Sequence, residues 1–570
     1  MLRNLIRSLA GRRSGADLER LLEAAGVACD RGDAEEAEAL ARAAIDCAPT
    51  DPRTHEVLAR ALRARGATQA AAQALLAALE CDPENLSARN ELAVTLLALG
   101  RAEEALQLLR WILKRAPDLP AVHTNLGIAC ERLGRFDDAL AGFERAVALE
   151  PERAAAHHNL ALFLRRIDRH EAAEAALRRA HALASGDDAI VRDLAGVVRE
   201  LGRPAEARVL LEPVLERRPG SADLHVALAT ALRDLGDFPG AAAQFEDALA
   251  RDPAHGLARL GRGLLRLAAA DFARGWDDYE GRFQTEESPR RGFPFADWDG
   301  GSFAGRSVLV YAEQGLGDEI MFASCLPDLA AEARRVVVEC DPRLAGLFAR
   351  SFPTVTVVGA PRDDPSGWLD RARPIDAQVA AGSLPRRYRR AAQDFPDRAG
   401  YLRPDPERVH GYRARLAGLG PGRKIGLAWR GGLMRTRRSV RSIEPELLAP
   451  LLARTDVAFV SLQRGEVEAD LARMHAASGR APLHWPGVAD DPEEAGALMA
   501  ALDATVAVCS ATVHLGGALG LRVLALVPAH PEWRYLESGE RLPWYPSVEL
   551  VRQAQPGDWN PVVEAVTRRL

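Results

Sequence analysis

Three stretches carry side chains whose types and spacing suit chemistry on a phosphorylated ligand. The first is SVLVYAEQGLGDEIMFASCLPDL, residues 307–329. Its apolar run Val308–Ala312 reads as a buried strand, Gly315 and Gly317 make a tight turn, and Asp318 stands where a helix begins. Strand, glycine turn and helix N-terminus place ligands at the carboxyl ends of strands in α/β proteins. Two readings stand for Asp318: a carboxylate at the mouth of an active site, or an ordinary helix N-cap. The second stretch is AWRGGLMRTRRSVRS, in which Arg430, Arg435, Arg437, Arg438 and Arg441 follow a strand, with Gly431 and Gly432 between them. Clustered guanidinium groups suit a pyrophosphate, which they bind bidentately, and they equally suit a solvated basic loop. With it goes SLQRGE, where Gln463 follows another strand end. The third is VAVCSATVHLGGALG: Ser510 and Thr512 at a strand-to-helix turn, His514 in the first helical turn, and Gly516 and Gly517 allowing close packing. Hydroxyls and backbone N–H groups at a helix N-terminus form a phosphate cradle; a lone histidine there is structural or holds phosphate or ribose.

The elements that must position these residues alternate. Strands are expected at Val308–Ala312, Arg335–Glu339, Val355–Val358, Pro374–Val379, Lys424–Trp429, Val457–Leu462, Thr505–Val508 and Arg522–Val527, with helices over Leu344–Ser351 and Val513–Leu519. A break at GLGPGR, around Pro421, divides two βα arrays. The expectation is a pair of Rossmann-like lobes, 307–420 and 421–570, facing a cleft. Residues 284–306, rich in Gly, Pro, Arg and aromatics, read as a linker packed against both neighbours.

Before the linker the chain repeats. Gly32, Gly66, Gly100, Gly134, Gly202 and Gly236 share one 34-residue register, with Asp168 and Ala270 on the same marks. Alanine stands five positions after the mark, as at Ala37, Ala71 and Ala105, and a small residue stands seven before it, as at Ala59, Ala93 and Gly127. Prolines such as Pro49, Pro83 and Pro117 close the units. Each unit is two helices with glycine at the turn between them, and since one pair cannot bury its apolar faces alone, neighbours must stack. These columns resemble the tetratricopeptide repeat. About seven repeats and an atypical capping unit give a solenoid over 17–283, preceded by a basic lead-in over 1–16. Nine positions before the mark stand Glu91, Asn125, Asn159 and Asp193. The resemblance implies that this position faces the concave groove, where such side chains either solvate the groove or hydrogen-bond the backbone of an extended peptide.

Composition narrows the class. A net charge of −6 gives no reason to expect nucleic acid as a partner. Hydrophobic content of 48% and charged content of 27% describe an ordinary globular chain, and no run is long enough to span a membrane. Seven scattered cysteines argue for a reducing compartment and against a zinc site, so the expected location is the cytoplasm.

Taken together, GLGDEIMFASCLPDL, AWRGG…TRR…RS, SLQ, CSATVHLGGALG, HPEWRYLE, LPWYPS and VRQ resemble the heptosyltransferase-like (family nine) glycosyltransferases. The likeness extends to bacterial proteins that fuse such a domain to tetratricopeptide repeats, some associated with flagellin glycosylation. The resemblance implies an α plus α/β chain with a GT-B-like pair of lobes. It implies metal-independent, inverting transfer of a sugar from a nucleotide-sugar to Ser or Thr of a polypeptide held by the solenoid, with no cofactor. In that scheme Asp318 is the general base beside the glycine loop of Gly315 and Gly317. The donor is bound by Arg430, Arg435, Gln463, Ser510, Thr512, His514 and Gly516, although Cys509 stands where these transferases commonly carry Asp. Two other readings accompany it: a non-catalytic repeat scaffold with a degenerate transferase domain, and a transferase acting on surface saccharide.

Overall fold

The computed structural model describes residues 15–285, 290–361, 367–432 and 438–570. They fall into two compact units, Met1–Leu194 and Ala195–Leu570, with the division inside the helix Asp188–Glu200.

The first unit is helical pairs throughout. Helices such as Leu86–Ala98 and Ala102–Leu113, or Pro120–Arg132 and Phe136–Leu149, are antiparallel partners around each marked turn. The marked glycines have positive φ, and Asp168 adopts the same conformation at φ 58°. A left-handed residue just past a helix satisfies the last carbonyls, as where the Gly100 and Arg101 N–H groups bond Leu97 and Leu96. The small columns sit where backbones meet: a Cβ on Gly127 would lie 2.9 Å from the Phe143 ring. Ala71, Ala105, Ala139 and Ala173 are fully buried beside Leu92, Leu106 and Leu109. The Phe143 and Phe163 rings, 5.2 Å apart, fill between successive pairs.

A further column explains the repeat-closing prolines. The Nε2 of His55 bonds the Pro49 carbonyl (3.0 Å), that of His123 the Pro117 carbonyl (2.7 Å) and that of His157 the Pro151 carbonyl (2.9 Å). Arg89 reaches the Pro83 carbonyl from the same register. These side chains occupy carbonyls at the helix C-termini that no backbone N–H serves.

In the second unit the repeats continue to Phe272–Tyr279, followed by the α/β region. A four-stranded parallel sheet has the order β3-β2-β1-β4, with β1 Ser307–Tyr311, β2 Arg335–Cys340, β3 Thr356–Gly359 and β4 Ala377–Ala380. Its register aligns Val308 with Val336 and Val310 with Val379. A six-stranded sheet has the order β6-β5-β7-β8-β10-β9. Its strands are β5 Arg423–Ala428, β6 Val457–Ser461, β7 Ala504–Val508, β8 Val523–Val527, β9 Arg541–Leu542 and β10 Tyr545–Arg552. All its pairings are parallel except β9 with β10. β1, β4, β7 and β8 are buried along their whole length, which is why β8 is apolar throughout and β1 and β7 are apolar but for Ser307 and Thr505. β10 and the terminal helix Asn560–Arg569 add to the elements expected from sequence.

The last repeat helix packs into the α/β region. Trp276 is buried, its Nε1 donates to the Arg389 carbonyl at 2.8 Å, and its ring meets Trp533 edge-on at 5.4 Å. Arg282, also buried, bridges Glu280 (2.8 Å), Glu313 (2.9 Å) and the Ser383 hydroxyl (2.7 Å). A guanidinium so enclosed is stable only because each face meets an acceptor.

Candidate functional site

The polar row of the first unit lies on successive first helices: Glu91 on Leu86–Ala98, Asn125 on Pro120–Arg132, Asn159 on Ala154–Arg166 and Asp193 on Asp188–Glu200. Neighbouring repeats hold most of it. Glu91 pairs with Arg63. The Asn125 amide donates to Asn90 Oδ1 at 2.9 Å. The Nε2 of His158 donates to Asp193 Oδ2 at 2.7 Å, and Arg192 Nε reaches Oδ1 at 3.2 Å. Burial works to raise the Asp193 pKa, and His158 and Arg192 outweigh it, holding the carboxyl below its usual range. Asn159, half-buried, makes no side-chain hydrogen bond among the described residues. Asn125 Oδ1 and the whole Asn159 amide are therefore open to a ligand.

In the second unit, the helix Leu316–Phe322 after β1 and the helix Ala511–Ala518 after β7 meet near their N-termini. A Cβ on Gly317 would lie 3.2 Å from His514 and 3.3 Å from Ala511 Cα, so glycine permits the approach. The structure thus brings Gly315, Gly317 and Asp318 together with Ser510, Thr512 and His514. Gly315, and not Asp318, is the N-cap. The Asp318 carboxylate instead accepts from Arg534, whose Nε lies 2.8 Å away, and both side chains are largely buried. Burial opposes the Arg534 charge, and Asp318 and Glu532 overcome it, keeping the guanidinium protonated above its usual range. His514 faces the Tyr545 hydroxyl at 3.2 Å. Burial, reinforced by Arg534 and Arg441, pushes its pKa down to about 3, so the imidazole is neutral. The Ser510 Oγ is buried without a hydrogen-bond partner among the described residues. Beside these helices a small, mostly apolar cleft is lined by Leu316, Ile320, Leu462, Arg464, Thr512 and Leu515.

The other expected ligand-binding residues are engaged within the fold. Gln463 Oε1 accepts the backbone N–H of Trp429 (3.0 Å) and Arg430 (2.7 Å), tying β5 to the end of β6. Arg430 pairs with Asp470 at 3.0 Å and reaches the Glu466 carbonyl. Arg441 pairs with Glu532 at 3.1 Å. Gly516 packs on β8, where a Cβ would lie 2.6 Å from Val523. Cys509 sends its thiol toward the Leu526 carbonyl at 3.6 Å, and burial pushes its pKa up to about 12. Arg435 and Arg437 lie outside the described residues. No group of metal-ligating side chains is found among the described residues.

Arg534, Glu532, Arg63 and His158 complete these clusters without having been singled out in the sequence. The 35-position spacing of His158 to Asp193 and Asn90 to Asn125, one repeat plus one residue, is a periodic signal that could have found the groove pairs. Arg534 is 216 positions from Asp318, and no local spacing connects them.

Two profiles described as tetratricopeptide repeat match the chain, one over residues 62–126, 168–232 and 198–260, the other over 124–188. The N-terminal region is a tetratricopeptide-repeat solenoid. Among curated proteins, the chain is 33% identical over 328 residues to Protein FlbA of Caulobacter vibrioides, an alignment covering 55% of each chain. It thus spans about half the length of the relative it matches. Among solved structures, a tetratricopeptide repeat protein from Parabacteroides merdae is 20% identical, with 44% of this chain and 99% of that one covered and a TM-score of 0.36. A thermophilic tetratricopeptide repeat protein of Thermus thermophilus is 28% identical, with 32% and 98% covered and a TM-score of 0.29.

These relations correct the functional expectation. The curated relative is named Protein FlbA, a name that describes no sugar transfer. The assignment to heptosyltransferase-like fusions does not hold, nor do the inverting, metal-independent glycosyltransferase activity and its flagellin-modifying or saccharide-modifying role. The Asp318 carboxylate, expected to act as general base, is enclosed and bonded to Arg534. No described helix is long and apolar enough to cross a membrane.

Proposed function

We propose that this chain is a non-catalytic repeat scaffold whose solenoid holds an extended polypeptide. The observation that carries the reading is the polar row on four successive first helices. Its outer members, Glu91 and Asp193, are fixed by Arg63, His158 and Arg192, while Asn159 and one oxygen of Asn125 stand open between them. Fixed neighbours pre-set the geometry of the open amides, and an amide offers both a donor and an acceptor, the complement of a peptide backbone. Backbone recognition of this kind is indifferent to peptide sequence.

The proposal takes the solenoid as 17–283, the linker as 284–306, and the region after it as a degenerate GT-B-like pair of Rossmann-like lobes, 307–420 and 421–570. What supports the pairing is two sheets, the first parallel and the second parallel apart from β9, whose first strands lie inside them, leaving crevices at the strand carboxyl ends. Whether a nucleotide-sugar occupies the cleft beside Thr512 is a question of binding alone.

The test uses the full chain and an unstructured, fluorescently labelled peptide followed by anisotropy, with common nucleotide-sugars added in parallel. The expected result is peptide binding that weakens at least about tenfold in the Asn125→Ala/Asn159→Ala variant, from loss of two or more backbone hydrogen bonds. No sugar should appear on the peptide by mass spectrometry. Equal binding by the variant, or sugar transfer, would overturn the reading.

A further inference from the structure

Two more rows run beside the amides. Three positions after Glu91, Asn125 and Asn159 stand Val94, Ile128 and Leu162, and four positions later in the last two repeats stand Arg132 and Arg166. Positions i, i+3 and i+7 share one face of a helix, so each first helix presents a polar group, an apolar group and, in the fourth and fifth repeats, a guanidinium. Val94 and Ile128 are half-buried, and Leu162 is 38% exposed, one of the large apolar side chains the solenoid leaves in water. The apolar row stops with the amides: the corresponding residues on either side are Arg60 and Gly196. The guanidinium groups are unequally satisfied. Arg166 pairs with Glu131 at 3.1 Å, whereas exposed Arg132 bonds the Leu97 carbonyl and forms no ion pair among the described residues, feeling Glu131 only through space.

From these rows we infer the chemistry of the occupant: an extended segment that alternates apolar and acidic side chains. This rests on the peptide-scaffold reading and adds what the groove selects. In an extended chain successive side chains point to opposite sides, so one set can lie on Val94, Ile128 and Leu162 while the backbone meets Asn125 and Asn159. The charge next to this face is positive at Arg132, and a carboxylate there gains a charge-assisted hydrogen bond that an ammonium forfeits. First helices of neighbouring repeats lie about 8–10 Å apart, so the three of them span roughly 16–20 Å, which an extended segment of about five or six residues covers and a nine-residue one overhangs.

The test is fluorescence anisotropy of the full chain with three labelled nine-residue probes: alternating valine and glutamate, alternating valine and lysine, and alternating serine and glutamine. The valine–glutamate probe should bind at least about tenfold tighter than either other. Leu162→Asp and Arg132→Glu, both at exposed positions and each checked by circular dichroism, should each weaken that probe about fivefold or more. Arg132→Glu should also narrow the gap to the lysine probe. Equal affinity for all three probes, or unchanged binding by both variants, would overturn the inference and leave the scaffold reading standing. Failure of every probe to bind would overturn both.

Discussion

Asp318 and Arg534 form a largely buried pair, and removing one member leaves the other charge enclosed without a partner. Asp318→Asn should cost about 3 kcal/mol in urea unfolding, and adding Arg534→Met should recover part of it; a single variant as stable as the wild type would show the pair to be loose. His514 gives a pH signature. Its folded pKa is about 3, against 6.5 when unperturbed. Between those values the unfolded chain binds a proton that the folded chain does not. Stability therefore falls as pH drops through that window, by at most about 1.4 kcal/mol per unit. His514→Gln should flatten the urea midpoint between about pH 6 and pH 4; an unaltered slope would place the acid sensitivity elsewhere. At the helix turns, Ala270 is exposed and sits at φ 61°, a conformation that disfavours a side chain. Ala270→Gly should raise stability by about 0.5–1 kcal/mol, since relief of that strain exceeds the added freedom of glycine when unfolded; a lower urea midpoint would contradict this.

At the scale of elements, Trp276 joins the last repeat helix to the α/β region through its ring contacts and its bond to Arg389. Trp276→Ala should cost about 3–5 kcal/mol, read as earlier loss of the helices Gly256–Ala268 and Phe272–Tyr279 in hydrogen exchange; unchanged protection there would refute the coupling. The repeat helices were legible in the sequence because every unit solves the same local problems, a left-handed turn and a close helix approach, with the same residues. The buried parallel strands were legible as apolar runs. β10 was not: Pro546, Glu549 and Arg552 interrupt it, and its burial is uneven along the strand. The motifs located the turns that meet at Gly317 and His514, yet they could not show Asp318 held by Arg534, since that contact depends on how the lobes pack. The functional resemblance carried by the same motifs was overturned by the relation to FlbA.

At the scale of the whole molecule, the chain divides into a unit whose described residues form only helices and their turns, Met1–Leu194, and a unit that joins the later repeats to two sheets, Ala195–Leu570. The open amides belong to the first, and the enclosed carboxylate to the second. A scaffold with this division should respond to a peptide in the first unit only. Hydrogen–deuterium exchange of the full chain with and without the valine–glutamate probe reads this most directly. The account predicts added protection in the helices Leu86–Ala98, Pro120–Arg132 and Ala154–Arg166 with little change around 311–322 and 510–518. Protection confined to the α/β region, with the groove helices unaffected, would contradict it.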